Sequence, residues 1–410
     1  MPKEAHMERT ELIQSLSKRY DSFYLYDGAM VAERAAQLQQ VFSPVEFLYS
    51  VKCNPNRHIL HTLFSRGFGA DAASLGEVLL AEECGLPKDR IYFSAPGKTA
   101  RDIAGALPKS VLIADSLDEI GRIDAAARAQ GVCAELGLRI NPNFSLTGEG
   151  GHASKFGIDE DDAAAFVRDL PYQNVRVTGI HVHVKSQVLD GDALAAYYGR
   201  ILRLARRFAA LCGPLRYVNL GSGIGVPFAS TDKAVDLKAL HDALLDQLDA
   251  FRADFPATKI FMESGRYTTC ISGVYVTKVL DRKVSHGRTY LVLKNTLNGF
   301  LRPAAAMMVA QYTDVKTAKS WEPLFTCADA FRFTPLKGGE ATETVTLVGN
   351  LCTGTDVIAE ELRMPHLECG DLIVMDNAGS YASVLSPMQF ASQDRPAELF
   401  LTPGGEVLEA

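Results

Sequence analysis

Short apolar runs alternate with amphipathic helical segments from Phe47 to Met262, and this alternation restricts the possible folds more than any other feature of the chain. Each run ends in a turn rich in glycine or aspartate, and a helical stretch follows. The pattern predicts an α/β fold with a parallel (β/α)8 barrel of the TIM type. A doubly wound open sheet is the alternative. The runs are Phe47–Val51, Gly69–Ala72, Ile91–Ser94, Val111–Ala114, Ala134–Ile140, Val177–Val184, Tyr217–Leu220 and Lys259–Met262, and the helices between them include 75–85, 101–107, 117–130, 160–169, 191–212 and 236–254.

After about residue 270 the sequence changes to apolar runs with few helices between them. These runs predict a C-terminal antiparallel β domain over 271–410, after a barrel over 29–270. Residues 1–28 contain one more strand-like run that ends in a turn, Phe23–Gly28, and are expected to join the β domain. The segment 313–342, with the only tryptophan, shows no clear pattern. The C-terminal runs are Ser272–Val284, Thr289–Lys294, Glu343–Gly349, Asp371–Asp376 and Ala397–Leu401.

Composition excludes several functional classes. The chain has 410 residues, 47% of them hydrophobic, and a net charge of -7, so it has no basic footprint for nucleic acid or for an anionic membrane. No apolar run reaches the length of a membrane span, and the polar N-terminus is not that of a secretory signal, so a cytoplasmic protein is expected. The 8 cysteines are scattered without metal-ligand spacing, and no metal site is expected.

The chemistry of a (β/α)8 barrel is located on the loops after its strands. Lys52 ends the first predicted strand and Asp71 the second, while His183 ends the sixth and Glu263 follows the eighth. A lysine held at a strand end is suited to form a Schiff base, and apolar surroundings are expected to lower its pKa. The alternative is an ordinary solvated lysine at a strand end.

Three further features of this rim suggest one cofactor. The glycine-rich stretch Gly221–Gly225 follows the seventh strand and offers backbone N–H groups to an anion, although a flexible turn would look the same. Glu263 could bind a protonated ring nitrogen with Arg266 supporting a phosphate, or the two could simply pair with each other. The flat ring of His183 could stack on an aromatic ring. Amine, anion loop and acid together indicate pyridoxal phosphate.

The chain resembles the fold-type III pyridoxal-phosphate decarboxylases, the group of diaminopimelate, ornithine and arginine decarboxylases with a barrel like that of alanine racemase. The resemblance extends from about Tyr24 to Leu401. The motifs that carry it are Ser50–Asn54, Gly69–Glu77, Lys155–Ile158, Gly179–Gln187, Glu263–Arg266, Asn298–Pro303, Gly349–Asp356 and Asp376–Tyr381.

The resemblance implies a role for each matching residue. Lys52 would carry the cofactor, and Cys352 would return a proton after CO2 leaves. A homodimer is implied whose active sites are shared, with the cysteine loop coming from the partner subunit. The further residues implied to bind the cofactor are Asp71, His183, Ser186, Gly223, Glu263, Gly265, Arg266 and Tyr381, and those implied to face the amino-acid substrate are Arg302, Thr353 and Asp356.

Thr353 is the most informative departure from the family pattern. Enzymes of this family that act on substrates with a free distal amine usually have an acidic residue after this cysteine, whereas a Cys-Thr pair resembles the branch that decarboxylates modified amino acids. Members of that branch act on carrier-protein-bound glutamyl thioesters or on citryl-diamino acid intermediates of siderophore assembly. The other departures are Lys185, Ser222, Ser264 and Asn350.

The resemblance thus implies α-decarboxylation of an amino acid with a modified distal group. Three alternatives stay open. They are diaminopimelate decarboxylation in lysine biosynthesis, racemisation on the same barrel, and a non-catalytic paralogue that binds a partner enzyme.

Overall fold

The computed structural model describes residues 3–313, 321–327, 329–339 and 342–409, with side chains from Arg9 onward. The chain divides into two compact units. One unit, called here the barrel unit, comprises Ala32–Val226 and Lys233–Tyr267. The other, called here the β unit, comprises Met1–Val31, Pro227–Asp232 and Thr268–Ala410.

Eight parallel strands close into a barrel in the barrel unit, as the sequence predicts. Neighbouring strands pair in chain order, and the pairing of the last, β10 (Lys259–Ser264), with the first, β2 (Glu46–Ser50), closes the ring. A short ninth strand, β7 (Ile158–Asp159), pairs with β6 (Ala134–Asn141). The barrel strands are β2 (Glu46–Ser50), β3 (Gly69–Ala72), β4 (Ile91–Phe93), β5 (Val111–Ala114), β6 (Ala134–Asn141), β8 (Val175–His181), β9 (Tyr217–Asn219) and β10 (Lys259–Ser264).

Helices follow the strands because the intervening turns supply N-caps. Ser116 Oγ accepts from the Glu119 N–H, and the Asp190 and Asp236 side chains cap the helices that begin at Gly191 and Leu237 in the same way. Thr99 forms a capping box with Asp102. The helices are α2 (Gly28–Val41), α3 (Arg57–Phe64), α4 (Leu75–Glu83), α5 (Ala100–Ala106), α6 (Leu117–Ala129), α7 (Glu160–Arg168), α8 (Gly191–Cys212), α9 (Leu237–Asp254) and the short α10 (Arg266–Thr269). Among the described helices, none is both long and apolar enough to cross a membrane.

Aromatic side chains fill the inside of the barrel. Tyr92, Tyr217 and Phe261 pack with ring centroids 5.0 to 5.7 Å apart. A Cβ atom at Gly179 would lie 2.3 Å from the Tyr217 ring, so glycine is required there. The interior is therefore a packed core, and chemistry is confined to the rim where the strands end.

A mixed sheet forms the β unit. The predicted β domain is confirmed, but its strands are not all antiparallel. β1 (Ser22–Asp27) pairs parallel to β17 (Ala397–Leu401), and β12 (Arg288–Leu293) pairs parallel to β14 (Thr342–Gly349). Parallel pairing is possible because a long connection separates each pair, and that between β12 and β14 contains helix α11 (Leu301–Tyr312). The strands are β1 (Ser22–Asp27), β11 (Gly273–Ser285), β12 (Arg288–Leu293), β13 (Phe333–Pro335), β14 (Thr342–Gly349), β15 (Val357–Pro365), β16 (Leu372–Met375), β17 (Ala397–Leu401) and β18 (Val407–Glu409), preceded by helix α1 (Lys3–Leu16).

The segment that the sequence leaves without a pattern is only partly described. Residues 314–320, 328, 340 and 341 lie outside the described residues. Trp321 and Phe325 form an isolated antiparallel bridge, and β13 pairs with β16.

Candidate active site

Lys52 and Asp71 form an ion pair at the ends of neighbouring strands. Lys52 lies in the single helical turn Val51–Cys53 directly after β2, and its Nζ donates to Asp71 Oδ2 at 2.7 Å. Asp71 is buried in β3, where its two carboxylate oxygens also accept from Ser50 Oγ at 2.9 Å and from Ser94 Oγ at 2.5 Å. The Lys52 side chain stays 42% exposed, so its amine is fixed and still accessible.

The expected lowering of the Lys52 pKa is wrong. The partial loss of water around Lys52 does favour the neutral amine, but the carboxylates of Asp71 and Glu263 outweigh it and raise the pKa of Lys52 above its usual value. The apolar residues that flank Lys52 in the sequence do not reveal these two charges. Lys52 is therefore an ammonium ion at neutral pH in this structure, and it must lose a proton before it can attack a carbonyl carbon.

Glu263 is a buried carboxylate at the end of β10. Its Oε1 accepts from Asn219 Nδ2 at 2.8 Å and lies 3.1 Å from His181 Nε2. Burial alone would favour the protonated acid, but the interactions with His181 and Lys52 outweigh it, and the pKa of Glu263 is lowered well below its usual value. The site therefore contains an ionised carboxylate, as binding of a protonated ring nitrogen requires.

His183 is a neutral imidazole held in one tautomer. Its Nδ1 accepts from the Ser222 backbone N–H at 3.1 Å, so the ring proton is on Nε2, which lies 3.1 Å from Ser186 Oγ. Burial lowers the pKa of His183 to about 4, despite the opposing effect of Glu263. A neutral, flat ring at this position suits stacking against another ring.

The glycine-rich loop Gly221–Gly225 after β9 opens no helix. The Val188 N–H donates to the Gly223 carbonyl at 2.8 Å, and the Gly225 N–H donates to the Val188 carbonyl at 2.9 Å. Gly223 has φ +155°, and a Cβ atom there would lie 2.7 Å from Leu194 Cδ2. The loop is therefore fixed against the segment that follows His183, and it needs glycine at position 223.

Gly223→Ala is expected to lower the free energy of unfolding by about 1–3 kcal/mol, because alanine is strained at this φ and clashes with Leu194. Affinity for pyridoxal phosphate should fall about tenfold as the loop moves. Gly191→Ala is a matched control, since its nearest contact would be an ordinary 3.8 Å. Urea unfolding and a spectroscopic cofactor titration measure both quantities. If the two variants had the same free energy of unfolding and the same cofactor affinity, glycine would not be required at position 223.

Gly265 and Arg266 follow Glu263 at the end of β10. A Cβ atom at Gly265 would lie 2.1 Å from Cys53 Sγ, so glycine lets this turn pack on the turn that carries Lys52. Arg266 is buried at the start of α10. The barrel unit thus brings together the predicted lysine, its acidic neighbours, the histidine and the glycine loop.

The remaining predicted site residues lie in the β unit. Cys352 is exposed on the loop between β14 and β15. Asp356 ends this loop, and its buried carboxylate accepts from the backbone N–H groups of Leu297 at 3.0 Å and Leu351 at 3.1 Å. Thr353 Oγ1 lies 3.0 Å from Thr355 Oγ1. Asp356 thus stabilises the loop on which Cys352 and Thr353 are displayed.

Arg302 has a buried side chain, and Tyr381 has an unusual backbone conformation. Arg302 is buried in the first turn of α11, where its Nη2 donates to Thr326 Oγ1 at 3.0 Å and its guanidinium lies 5.3 Å from the Phe228 ring centroid. Tyr381 has φ +52°, a left-handed conformation that is costly for tyrosine. Such conformations are concentrated at functional sites.

Sequence reasoning missed Ser94, Asn219 and the backbone N–H of Ser222. Ser94 follows β4 directly and Asn219 ends β9, so both occupy the rim positions at which the other site residues were found. The rule that chemistry follows barrel strands could have found them. The Ser222 contact is made by a backbone N–H, which every residue except proline has, so the residue type at this position does not reveal it.

The arrangement in the barrel unit fits pyridoxal phosphate. Lys52 provides the amine for its aldehyde, and the ionised Glu263 matches a protonated pyridine nitrogen. His183 offers a neutral ring, while the glycine loop and the Ser186 hydroxyl are suited to a phosphate.

Comparison with known proteins agrees with this fit. A family model described as "Pyridoxal-dependent decarboxylase, pyridoxal binding domain" matches residues 29–270. The chain is 31% identical to the L-glutamyl-[BtrI acyl-carrier protein] decarboxylase of Niallia circulans, over 96% of this chain and 91% of that one. It is 28% identical to the diaminopimelate decarboxylase of Helicobacter pylori strain J99, over 92% of this chain and 90% of the relative. The crystal structure of diaminopimelate decarboxylase from Helicobacter pylori complexed with L-lysine matches with a TM-score of 0.81 and 26% identity, over 97% of this chain and 95% of that chain.

The family match covers more than half of the chain, and the similarity to the Niallia circulans enzyme covers nearly all of it. The closed barrel, the separate β unit and the residues at the barrel rim agree with that match. The chain therefore belongs to the fold-type III pyridoxal-phosphate-dependent amino-acid decarboxylases.

Proposed function

We propose that this enzyme removes the α-carboxylate from an amino acid whose distal group is not a free ammonium ion. The observation that carries the proposal is Thr353, which follows Cys352 where relatives acting on free diamino acids usually have an acid. Threonine offers a hydroxyl but no negative charge. Here that hydroxyl lies 3.0 Å from the hydroxyl of Thr355.

No other residue of the cysteine loop replaces the missing charge. Asp356 is the only acidic residue in the stretch 350–356. Its carboxylate is buried and accepts hydrogen bonds from the backbone N–H groups of Leu297 and Leu351. Turning it toward a substrate would break these bonds. We therefore assign Asp356 a supporting role in the loop, although the family resemblance implies a contact with substrate.

A free ammonium group would bind poorly beside such a loop. Moving a cation out of water without a carboxylate partner costs on the order of several kcal/mol. An acylated nitrogen, a carboxylate or a thioester avoids that cost. Lys185, exposed on the loop after β8, and Arg302 are the candidate cations for an anionic distal group.

The substrate class that we favour is a conjugated amino acid of secondary metabolism, such as a siderophore intermediate or a carrier-protein-bound amino acid. The name of the Niallia circulans relative describes a glutamyl group on an acyl-carrier protein, which has no free distal amine. That similarity supports the class without identifying the compound.

Asp71 positions the Lys52 amine in this proposal, and the other residues of the barrel rim bind the cofactor. Lys52 holds the cofactor, Glu263 keeps the ring nitrogen protonated, and His183 supports the ring face. Ser186, Gly223, Gly265 and Arg266 bind the phosphate. When bound, pyridoxal phosphate supplies the electron sink that accepts the electron pair released with CO2.

Proton return is assigned to the partner subunit. In the proposed homodimer, the cysteine loop and Tyr381 of one subunit complete the site of the other. The exposed Cys352 thiol delivers a proton to the α-carbon after CO2 leaves, since a thiol S–H is a proton donor that solvent can recharge. Tyr381 adds a hydroxyl for the phosphate.

The substrate proposal predicts that wild-type kcat/KM for meso-diaminopimelate, lysine and ornithine is about a hundredfold or more below that for their acyl or citryl conjugates. Thr353→Asp should narrow this gap by improving the free diamines. Thr355→Asp, which adds the same charge two residues away in the same loop, should have little effect. A CO2-release assay measures all three proteins. Efficient turnover of meso-diaminopimelate by the wild type would refute the proposal and favour diaminopimelate decarboxylation.

A further inference from the structure

Two side chains from neighbouring strands contact the Glu263 carboxylate inside the barrel. Asn219 ends β9 and donates from Nδ2 to Glu263 Oε1 at 2.8 Å. His181 ends β8, is in register with Asn219, and places Nε2 at 3.1 Å from the same oxygen. Both side chains are almost fully buried, so water does not compete for the carboxylate.

The orientation of the Asn219 amide follows from its second contact. Its Oδ1 accepts from the Gly221 backbone N–H at 2.8 Å, and a backbone N–H can only donate. The amide NH2 must therefore face Glu263. Asn219 thus connects the acid on β10 to the first residue of the glycine loop.

The other polar groups near Glu263 have partners of their own. The Lys52 amine binds Asp71, and the two ring nitrogens of His183 are engaged by Ser222 and Ser186. From α8, Tyr197 accepts from the Val184 N–H, and Tyr198 is the next residue. Five titratable groups interact electrostatically with Glu263. They are Lys52, His181, His183, Tyr197 and Tyr198.

We propose that His181 and Asn219 are positioning residues that make Glu263 a weak base, so that the proton shared with the bound cofactor stays on its ring nitrogen. The inference rests on the proposed role of Glu263. A carboxylate that accepts from Asn219 and has the His181 ring nitrogen 3.1 Å away competes less well for a proton, and the lowered pKa of Glu263 agrees with this. Without these two neighbours, the proton would move toward Glu263, and the ring would accept electrons less readily.

The test is NMR of holoprotein that contains pyridoxal phosphate labelled with heavy nitrogen in its ring, because the chemical shift reports the protonation of that atom. His181→Phe is expected to lower the ratio of protonated to neutral ring nitrogen about tenfold at neutral pH. Asn219→Ala should act in the same direction and provides the measurement if the first variant does not fold. His181→Gln, whose amide can donate, should restore a ratio near that of the wild type.

His241→Phe is the control for the loss of a largely buried histidine, since His241 lies on the outer helix α9 against the ring of Phe42. A protonated ring in the wild type and a neutral ring in Glu263→Gln would support the role of Glu263. If the ratio nevertheless stayed unchanged in His181→Phe and in Asn219→Ala, the inference about these two residues would be overturned, and the role of Glu263 would stand. A neutral ring in the wild type, or no effect of Glu263→Gln, would overturn the assigned role of Glu263 as well. A lower melting temperature with an unchanged ratio would show that these residues only stabilise the fold.

Discussion

Replacing Lys52 with alanine is expected to abolish covalent attachment of pyridoxal phosphate and to reduce kcat/KM about a thousandfold or more. The amine of Lys52 is the nucleophile for the aldehyde in the proposed site, and alanine offers no substitute. Asp71 would also lose its bond to Lys52, which leaves a buried carboxylate partly uncompensated. Borohydride reduction followed by peptide mass analysis identifies the labelled residue, and CO2 release gives the activity.

Lys88→Ala is the matched control for this experiment. Lys88 is exposed in the turn before β4, at the opposite end of that strand from Ser94. The control should keep both the label on Lys52 and full activity. Labelling of another lysine in the wild type would remove Lys52 from the proposed site. A wild-type protein that takes the label but releases no CO2 from any amino acid tested would favour the non-catalytic paralogue.

Mixing inactive Lys52→Ala and Cys352→Ala subunits is expected to restore activity. The two residues lie in different units of the chain, and the proposed dimer draws them from different subunits into each site. A hybrid dimer then has one site with both changes and one with neither. With equal amounts and random exchange, half of the dimers are hybrids, so about a quarter of wild-type activity should return.

Subunit exchange must be confirmed in the same samples, for example by native mass analysis of tagged chains. Cys369→Ala is the control for the loss of an exposed thiol from the β unit, and it should be active without a partner variant. If the mixture stays inactive although hybrids form, both residues belong to one subunit's site, and the shared-site arrangement is wrong.

The barrel strands could be read from the sequence because their signal is local. β3, β5 and α8 have the predicted bounds, and the other barrel strands differ by a few residues at their ends. Helix α11 was not predicted, since Pro303 and a run of alanines within it lack an amphipathic pattern. Strand β15 was also missed. Its exposure does not alternate regularly, and Glu361 within it has φ +51°.

The pairing of strands in the β unit was beyond local reasoning. A strand's composition indicates that it is a strand, but it does not identify its neighbour. β1 and β17 pair in parallel although the whole barrel separates them in the chain. Only the folded chain selects that partner, because the buried faces of both strands must fit one core.

The sequence by itself determined the barrel, the order of the chemical groups along its rim and the cofactor that suits them. These depend on residue type and on position relative to a strand end, and both are local. Tertiary structure decided the electrostatics. The carboxylate that binds Lys52 lies 19 residues away in the chain, and the amide that holds Glu263 lies 44 residues away. A pKa depends on charges and donors within a few ångströms in space, and therefore the raised pKa of Lys52 and the lowered pKa of Glu263 emerge only when the strands close into a barrel.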